Sequence, residues 1–129
     1  GAADSLYRSA KWAALTGDGS FVEIFNLIAE FYPDTLYGAA AIVDMAWTWP
    51  DQARIRRLLR VMRESPGLPA PILERGLAVV LEHLDWLENP SDADWVAGRY
   101  IRSFPQGPVV ARARAQVESN TAGDAGTGK

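Results

Sequence analysis

The sequence predicts an all-α fold of about seven short helices, arranged as antiparallel hairpins in a compact helical bundle or a short HEAT-like stack. Apolar residues recur at helical spacing, most clearly at Phe21, Ile24, Phe25 and Ile28, with polar residues opposite them. Clusters of proline, glycine and aspartate interrupt the apolar runs, and each cluster combines a residue that ends one helix with a residue that can start the next. A chain of 129 residues is long enough for one hydrophobic core.

The first three helices are bounded by these clusters. Gly17 ends the first helix, whose apolar periodicity is weak. The second begins at Ser20, which forms a capping box with Glu23, and it ends before Pro33. Asp34 is predicted to cap the third helix, whose run of alanine, isoleucine and valine is apolar on all sides and should be buried. The predicted helices cover residues 4–15, 20–31, 35–48, 51–64, 70–88, 92–104 and 109–118.

The fourth and fifth predicted helices carry opposite charges. The fourth has five arginines against Asp51 and Glu64, which is a net charge of +3. Between Glu74 and Asp94 there are six acids and one arginine, which is a net charge of −5. The fifth helix is apolar over more than half of its circumference, and this predicts a central position in the core. Because the two helices are adjacent in the chain, their charges can compensate each other within the fold.

The sixth predicted helix follows Pro90, and a short seventh helix completes the fold. Residues 1–118 are therefore predicted to form a single helical domain. Residues 119–129 are small and polar, which predicts a flexible tail or linker. The segment Trp49–Ala53 is similar to Asn89–Ala93, and this offset of 40 residues is typical of stacked HEAT-like hairpins.

Composition excludes several classes of protein. The chain has no cysteine and one histidine, so a disulfide framework and a thiolate metal site are excluded, and no cofactor is predicted. The net charge of −3 argues against a nucleic-acid partner. No apolar run approaches membrane-spanning length and no secretory leader pattern is present, so a cytoplasmic protein without a membrane partner is predicted. Eleven arginines against two lysines, with twenty alanines, are typical of a GC-rich bacterial genome.

Two polar residues at apolar positions are candidates for a ligand pocket. His83 falls within the apolar arc of the fifth predicted helix. It is either a buried imidazole that bonds to a backbone carbonyl or a polar contact at the base of a ligand pocket. Asp44 lies in the apolar third helix and, if buried, needs a partner such as an arginine. No residue pattern indicates a catalytic nucleophile, a phosphate-binding loop or a metal site.

Two surfaces are predicted to bind a partner protein. The first is the arginine row of the fourth helix, opposite its apolar face, and the second is a tryptophan with two arginines on the sixth helix. Arginine binds carboxylates well, and tryptophan supplies a large contact area. Two interpretations need no partner. The arginines can form a solvated helix face, and the tryptophan can pack at the boundary of the core. The residues concerned are Arg56, Arg60, Arg63, Trp95, Arg99 and Arg102.

The sequence leaves three functions open. The absence of a catalytic pattern favours a non-enzymatic protein–protein interaction module, which would be an adaptor, accessory or regulatory domain, alone or within a longer bacterial protein. A small-molecule-binding helical protein with His83 in an apolar pocket is the first alternative. Residues 42–46 followed by 54–58 resemble a helix-turn-helix repressor, which implies a DNA-binding regulator that uses helix 51–64.

Overall fold

The structure is a computed structural model that describes the backbone of residues 1–127 and the side chains as far as Ser119. This part of the chain contains seven α-helices and one short 3-10 helix, with no strand, so the all-α prediction is confirmed. The elements in chain order are α1 (Ala2–Leu15), α2 (Phe21–Phe31), α3 (Leu36–Thr48), α4 (Gln52–Glu64), α5 (Ala70–Leu81), the 3-10 helix (Leu84–Trp86), α6 (Pro90–Ser103) and α7 (Val110–Thr127).

Each α-helix packs against the next one in the chain, and α3 also packs against α1 and α5. Nine consecutive residues of α3, Gly38–Ala46, are buried, as its apolar sequence predicts. A smaller apolar cluster surrounds Phe25 and Ile28 among the first three helices. A larger cluster includes Leu58 and Leu77 and extends to α6 and α7. Since α3 contributes to both clusters, it connects the two parts of a compact helical bundle.

Side-chain caps define the starts of α3 and α4. The Oγ1 of Thr35 accepts a hydrogen bond from the N–H of Gly38 at 3.0 Å. The Oδ1 of Asp51 accepts one from the N–H of Arg54 at 2.7 Å. The prediction that Asp34 caps α3 is therefore wrong by one residue, because the threonine has the extended backbone that an N-cap requires.

The start of α2 differs from the predicted capping box. The side chain of Ser20 makes no cap hydrogen bond, and its backbone is already helical, with φ −63° and ψ −15°. An N-cap side chain that accepts from the first turn normally needs extended backbone. The Oδ1 of Asp18 instead accepts a hydrogen bond from the N–H of Ser20 at 2.9 Å. An aspartate two residues earlier thus satisfies a donor at this turn.

The fifth helix ends earlier than the predicted residue 88. After α5, the N–H groups of Glu82 and His83 donate to carbonyl oxygens three residues before them. The backbone of His83, with φ −134° and ψ 40°, is no longer helical. No proline or glycine marks this point in the sequence. The Nε of Arg56 donates a hydrogen bond to the carbonyl oxygen of Trp86 at 2.9 Å, which holds the segment after α5 against α4. A longer helix would leave this oxygen without a backbone donor, because the residue four positions on is Pro90, which has no N–H.

The last helix continues past its predicted end, since the backbone of α7 is helical to Thr127. The side chains of residues 120–129 lie outside those described. The flexible polar tail over 119–129 and the single domain over 1–118 therefore stay predictions. No helix in the described part of the chain combines the length and the apolar character that crossing a membrane requires.

The start of α3 leaves no room for a side chain at Gly38. A Cβ there would collide with the carbonyl oxygen of Tyr32 and would lie 2.9 Å from its carbonyl carbon. The same oxygen accepts hydrogen bonds from the N–H and the Oγ1 of Thr35, at 3.2 Å and 2.7 Å. Because the obstacle is hydrogen-bonded backbone, the turn between α2 and α3 would have to move to admit an alanine.

We expect Gly38→Ala to lower the free energy of unfolding by about 1–3 kcal/mol, despite the higher helix propensity of alanine. Gly67→Ala is the matched control, because a Cβ at that position meets no atom within 4 Å. The control should change stability by less than about 1 kcal/mol. Urea denaturation followed by circular dichroism measures both variants. Equal unfolding midpoints for the two variants would contradict the close approach of the Tyr32 carbonyl group to Gly38.

Candidate functional site

Helix α4 has a buried apolar face and a basic face. Ile55 and Leu58 are fully buried in the core between α3 and α5. Helical geometry then turns Arg56, Arg60 and Arg63 to the other side, as the sequence periodicity predicts. The last two of these arginines are exposed, and the first is half-buried.

A groove of about 470 Å³ lies between the basic face of α4 and the segment that leads into α6. The 3-10 helix packs against α4 and brings this segment into place. Leu59 and Leu87 form the apolar part of the lining. The charged lining residues are Arg56, Arg60, Arg63, Glu88 and Asp92.

Arg56 is fixed by two contacts with the segment after α5. Its Nε donates to the carbonyl oxygen of Trp86 at 2.9 Å, and its Nη1 donates to Oε1 of Glu88 at 3.2 Å. The first contact satisfies a backbone acceptor that lies outside a regular α-helix. Arg56 therefore holds one wall of the groove in position.

Arg63 joins the two surfaces that the sequence suggested separately. Its Nη1 donates a hydrogen bond to Oδ1 of Asp92, a buried carboxylate in the first turn of α6. Its guanidinium carbon lies 5.1 Å from the centroid of the Trp95 ring, within the range of a cation–π contact. The basic residue that stacks on this tryptophan thus comes from α4, whereas the sequence paired it with Arg99 and Arg102 of its own helix.

Arg99 and Arg102 lie further along α6 and do not line the groove. The Nε of Arg99 is buried and has no hydrogen-bond partner among the described residues. Arg102 is exposed. Trp95 is partly buried against the larger apolar cluster, which is the core-boundary packing considered for it. A partner-binding strip of these three residues stays a prediction.

Arg60 lies between the two fixed arginines. It is exposed and makes no hydrogen bond or ion pair with any described residue. The three arginines and the two acids Glu88 and Asp92 give the groove a net charge of +1. Arg54 and Arg57 both donate to backbone carbonyl oxygens within the chain. Among the five arginines of α4, Arg60 is therefore the one whose guanidinium makes neither a hydrogen bond nor an ion pair with a described residue.

Asp44 is buried, with 5% of its surface exposed, and its charge is compensated. The hydroxyl of Tyr7 donates to its Oδ2 at 2.7 Å. The Nη1 of Arg75 lies 3.0 Å from its Oδ1, and the Nζ of Lys11 lies 3.8 Å from its Oδ2. The prediction that a buried Asp44 takes an arginine partner is confirmed.

The structure does not bring the two predicted pocket residues together. Asp44 lines a cleft of about 270 Å³, and Arg75 at this cleft also lies over the ring of Trp47, 5.0 Å from its centroid. His83 is not among the residues that line this cleft. It follows the end of α5, it is partly exposed, and its ring stacks on Trp86 with centroids 4.3 Å apart. Its predicted place inside a buried helix is wrong, because the chain turns there.

Sequence reasoning missed two features of the surface. The groove wall at Leu87 was assigned to a continuous fifth helix, and no local residue pattern could have revealed the turn. The helices α1 and α2 also expose large apolar side chains, since Trp12 is 70%, Leu15 81% and Phe31 64% exposed. The spacing of Ala10 and the other buried alanines of α1 was a usable signal, because it marks the opposite face as the solvent side.

Comparisons with protein-family models, curated proteins and solved structures give no match to this chain. Within the described residues, no group of three or more histidine, aspartate or glutamate side chains is placed to hold a metal ion. The candidate site therefore depends on the geometry of the groove.

We expect Arg56→Ala to lower the free energy of unfolding by about 1–2 kcal/mol, because it leaves the carbonyl oxygen of Trp86 without its donor. Arg63→Ala should destabilise for the same kind of reason, since it leaves the carboxylate of Asp92 without its cation. Arg60→Ala should change stability by less than about 0.5 kcal/mol. Thermal and urea unfolding of the three variants measure these differences. Equal stabilities for all three would contradict the division into fixed and free arginines.

The ionisation of Tyr7 makes the stability of the fold depend on pH in the alkaline range. Its partial burial raises the pKa of the phenol well above its usual value, and the hydrogen bond to Asp44 raises the pKa further. A group whose folded-state pKa is raised contributes stability that is fully present below the unfolded-state pKa. For a tyrosine that value is about 10, so the contribution is lost as the pH rises from there towards the folded-state pKa.

We therefore expect wild-type stability to fall more steeply above about pH 10 than the stability of Tyr7→Phe, which has no phenol to deprotonate at this position. Urea unfolding of both proteins across the alkaline range gives the two slopes. Parallel pH dependences would contradict the linkage between this hydroxyl and the buried carboxylate.

Proposed function

We propose that this protein is a non-enzymatic interaction module, an adaptor, accessory or regulatory domain, that binds another protein through the groove between α4 and α6. The arrangement of three arginines carries the proposal. Arg56 and Arg63 are held by contacts within the chain, and Arg60 between them has no partner among the described residues. Because Arg56 and Arg63 are already held in place, this protein loses less conformational entropy when a partner binds.

The lining of the groove suits a protein partner. Ala53, Leu87 and the small exposed part of Leu59 supply apolar contact area next to the arginines, and Trp95 lies beside Arg63. Arginine and tryptophan are enriched among the residues that dominate the binding energy of protein interfaces. A mixture of apolar and charged groups is also typical of interfaces that form and dissociate.

A DNA-binding function has less support. A nucleic-acid surface presents several unpaired cations to the phosphates. Four of the five arginines of α4 instead hydrogen-bond within the chain. The carboxylates of Glu88 and Asp92 also border the groove, where they would repel a phosphate backbone.

Site-specific photo-crosslinking tests the proposed function. Ala53 is exposed and lines the groove, so a benzophenone amino acid at this position leaves the three arginines in place. We expect ultraviolet irradiation in the native host to give an adduct with one defined protein, which mass spectrometry identifies. Addition of excess unmodified protein to a lysate before irradiation should reduce that adduct.

The matched control places the same amino acid at Ala115, an exposed alanine on α7 outside the groove. The adduct should be absent there. If position 53 yields no protein adduct, or the same adducts as position 115, the groove is not a docking site for a protein and the proposed function fails.

A further inference from the structure

We propose that the groove takes an acidic peptide segment of the partner, in which one aspartate or glutamate carboxylate pairs with Arg60 and an apolar side chain contacts Leu59 and Leu87. This inference rests on the proposed function and names the chemistry of the partner. Charge complementarity carries it, because the groove has a net charge of +1 and its unpaired cation, among the described residues, is Arg60.

A single carboxylate matches this charge. The positive charges of the guanidinium groups on either side are already compensated by Glu88 and Asp92, so Arg60 carries the charge that remains for a second anion. A planar guanidinium binds a carboxylate through two parallel hydrogen bonds, which gives this pairing both strength and direction. The partner therefore needs one acidic side chain at the position that faces Arg60.

A phosphate group fits the groove less well. A phosphorylated side chain carries about two negative charges at neutral pH, one more than the groove can neutralise. The carboxylates of Glu88 and Asp92 lie in the same lining and would repel the second charge. An aspartate or glutamate side chain satisfies the groove without this repulsion.

The spacing on α4 also suits an extended peptide. Residues four apart on a helix are separated by about 6 Å along its axis, so Arg60 lies about one helical turn from each neighbouring arginine. Alternate side chains of an extended strand are about 6.5 Å apart and point to the same side. An extended peptide that lies along α4 can therefore place one side chain at Arg60 and another about one helical turn away.

Peptide display on the full chain tests this inference. Random peptides displayed on phage are selected on immobilised wild-type protein, and one enriched sequence is synthesised with a fluorescent label for anisotropy measurements. We expect the enriched peptides to share an acidic residue close to an apolar one. Arg60→Gln should weaken binding of the synthetic peptide by about ten- to hundred-fold, and added salt should weaken it as well.

Arg114→Gln is the matched control, because Arg114 is an exposed arginine on α7 with no contact among the described residues. This variant should bind the peptide like the wild type. A charge reversal gives a stricter check, since Arg60→Glu should bind again when the acidic residue of the peptide is replaced by lysine. Circular dichroism confirms that each variant is folded.

Four results would overturn the inference. These are a failure to enrich any peptide, enriched peptides without an acidic residue, unchanged binding by Arg60→Gln, and tighter binding of a peptide with phosphoserine at the acidic position. A protein adduct at position 53 together with any of these results leaves the proposed function standing, whereas loss of that adduct contradicts the function itself.

Discussion

The hydrogen bond from Arg56 to the carbonyl oxygen of Trp86 is the contact on which the candidate site depends. It satisfies a backbone acceptor that has no donor within the segment after α5, because the residue four positions on is Pro90, which has no N–H. The chain leaves helical geometry after Leu81, and this bond holds the segment up to Pro90 along α4. Without this change of direction there would be no second wall, and the arginines of α4 would form an ordinary solvated face.

The charges of the two buried acids, Asp44 and Asp92, are compensated by neighbouring groups. Asp44 is surrounded by a hydroxyl, a guanidinium and an ammonium group, and Asp92 is bonded to Arg63. A buried carboxylate without such partners would cost several kcal/mol, so these contacts are conditions for folding. Two ion pairs, Arg56 with Glu88 and Arg63 with Asp92, join the basic helix α4 to the acidic segment after α5. Arg60 has no such partner among the described residues, so it is the cation of the groove that is available to an anion.

Much of the fold could be predicted from local patterns. The apolar periodicity of α2 and α4 and the unbroken apolar run of α3 were enough to place these helices and the buried faces of α3 and α4, whereas Phe31 of α2 is exposed. Their ends were accurate to one or two residues where proline or glycine stops the helix. The side-chain hydrogen bonds of Thr35 and Asp18 before α3 and α2 were not predicted, because neighbouring threonine, serine and aspartate residues can all accept backbone donors there. Only the backbone angles decide between them.

The sequence by itself determined the number and order of the helices, the burial of α3 and the presence of the arginine row, because these depend on residue spacing within single helices. The tertiary structure alone decided that α5 ends at Leu81, that Trp95 faces Arg63 and that Arg60 has no partner among the described residues. Each of these depends on contacts between residues about thirty positions apart. An arginine can bond to water, to a carboxylate or to a backbone oxygen, and the relative energies of these contacts depend on the geometry of the packed helices. A pattern within one helix does not contain that geometry.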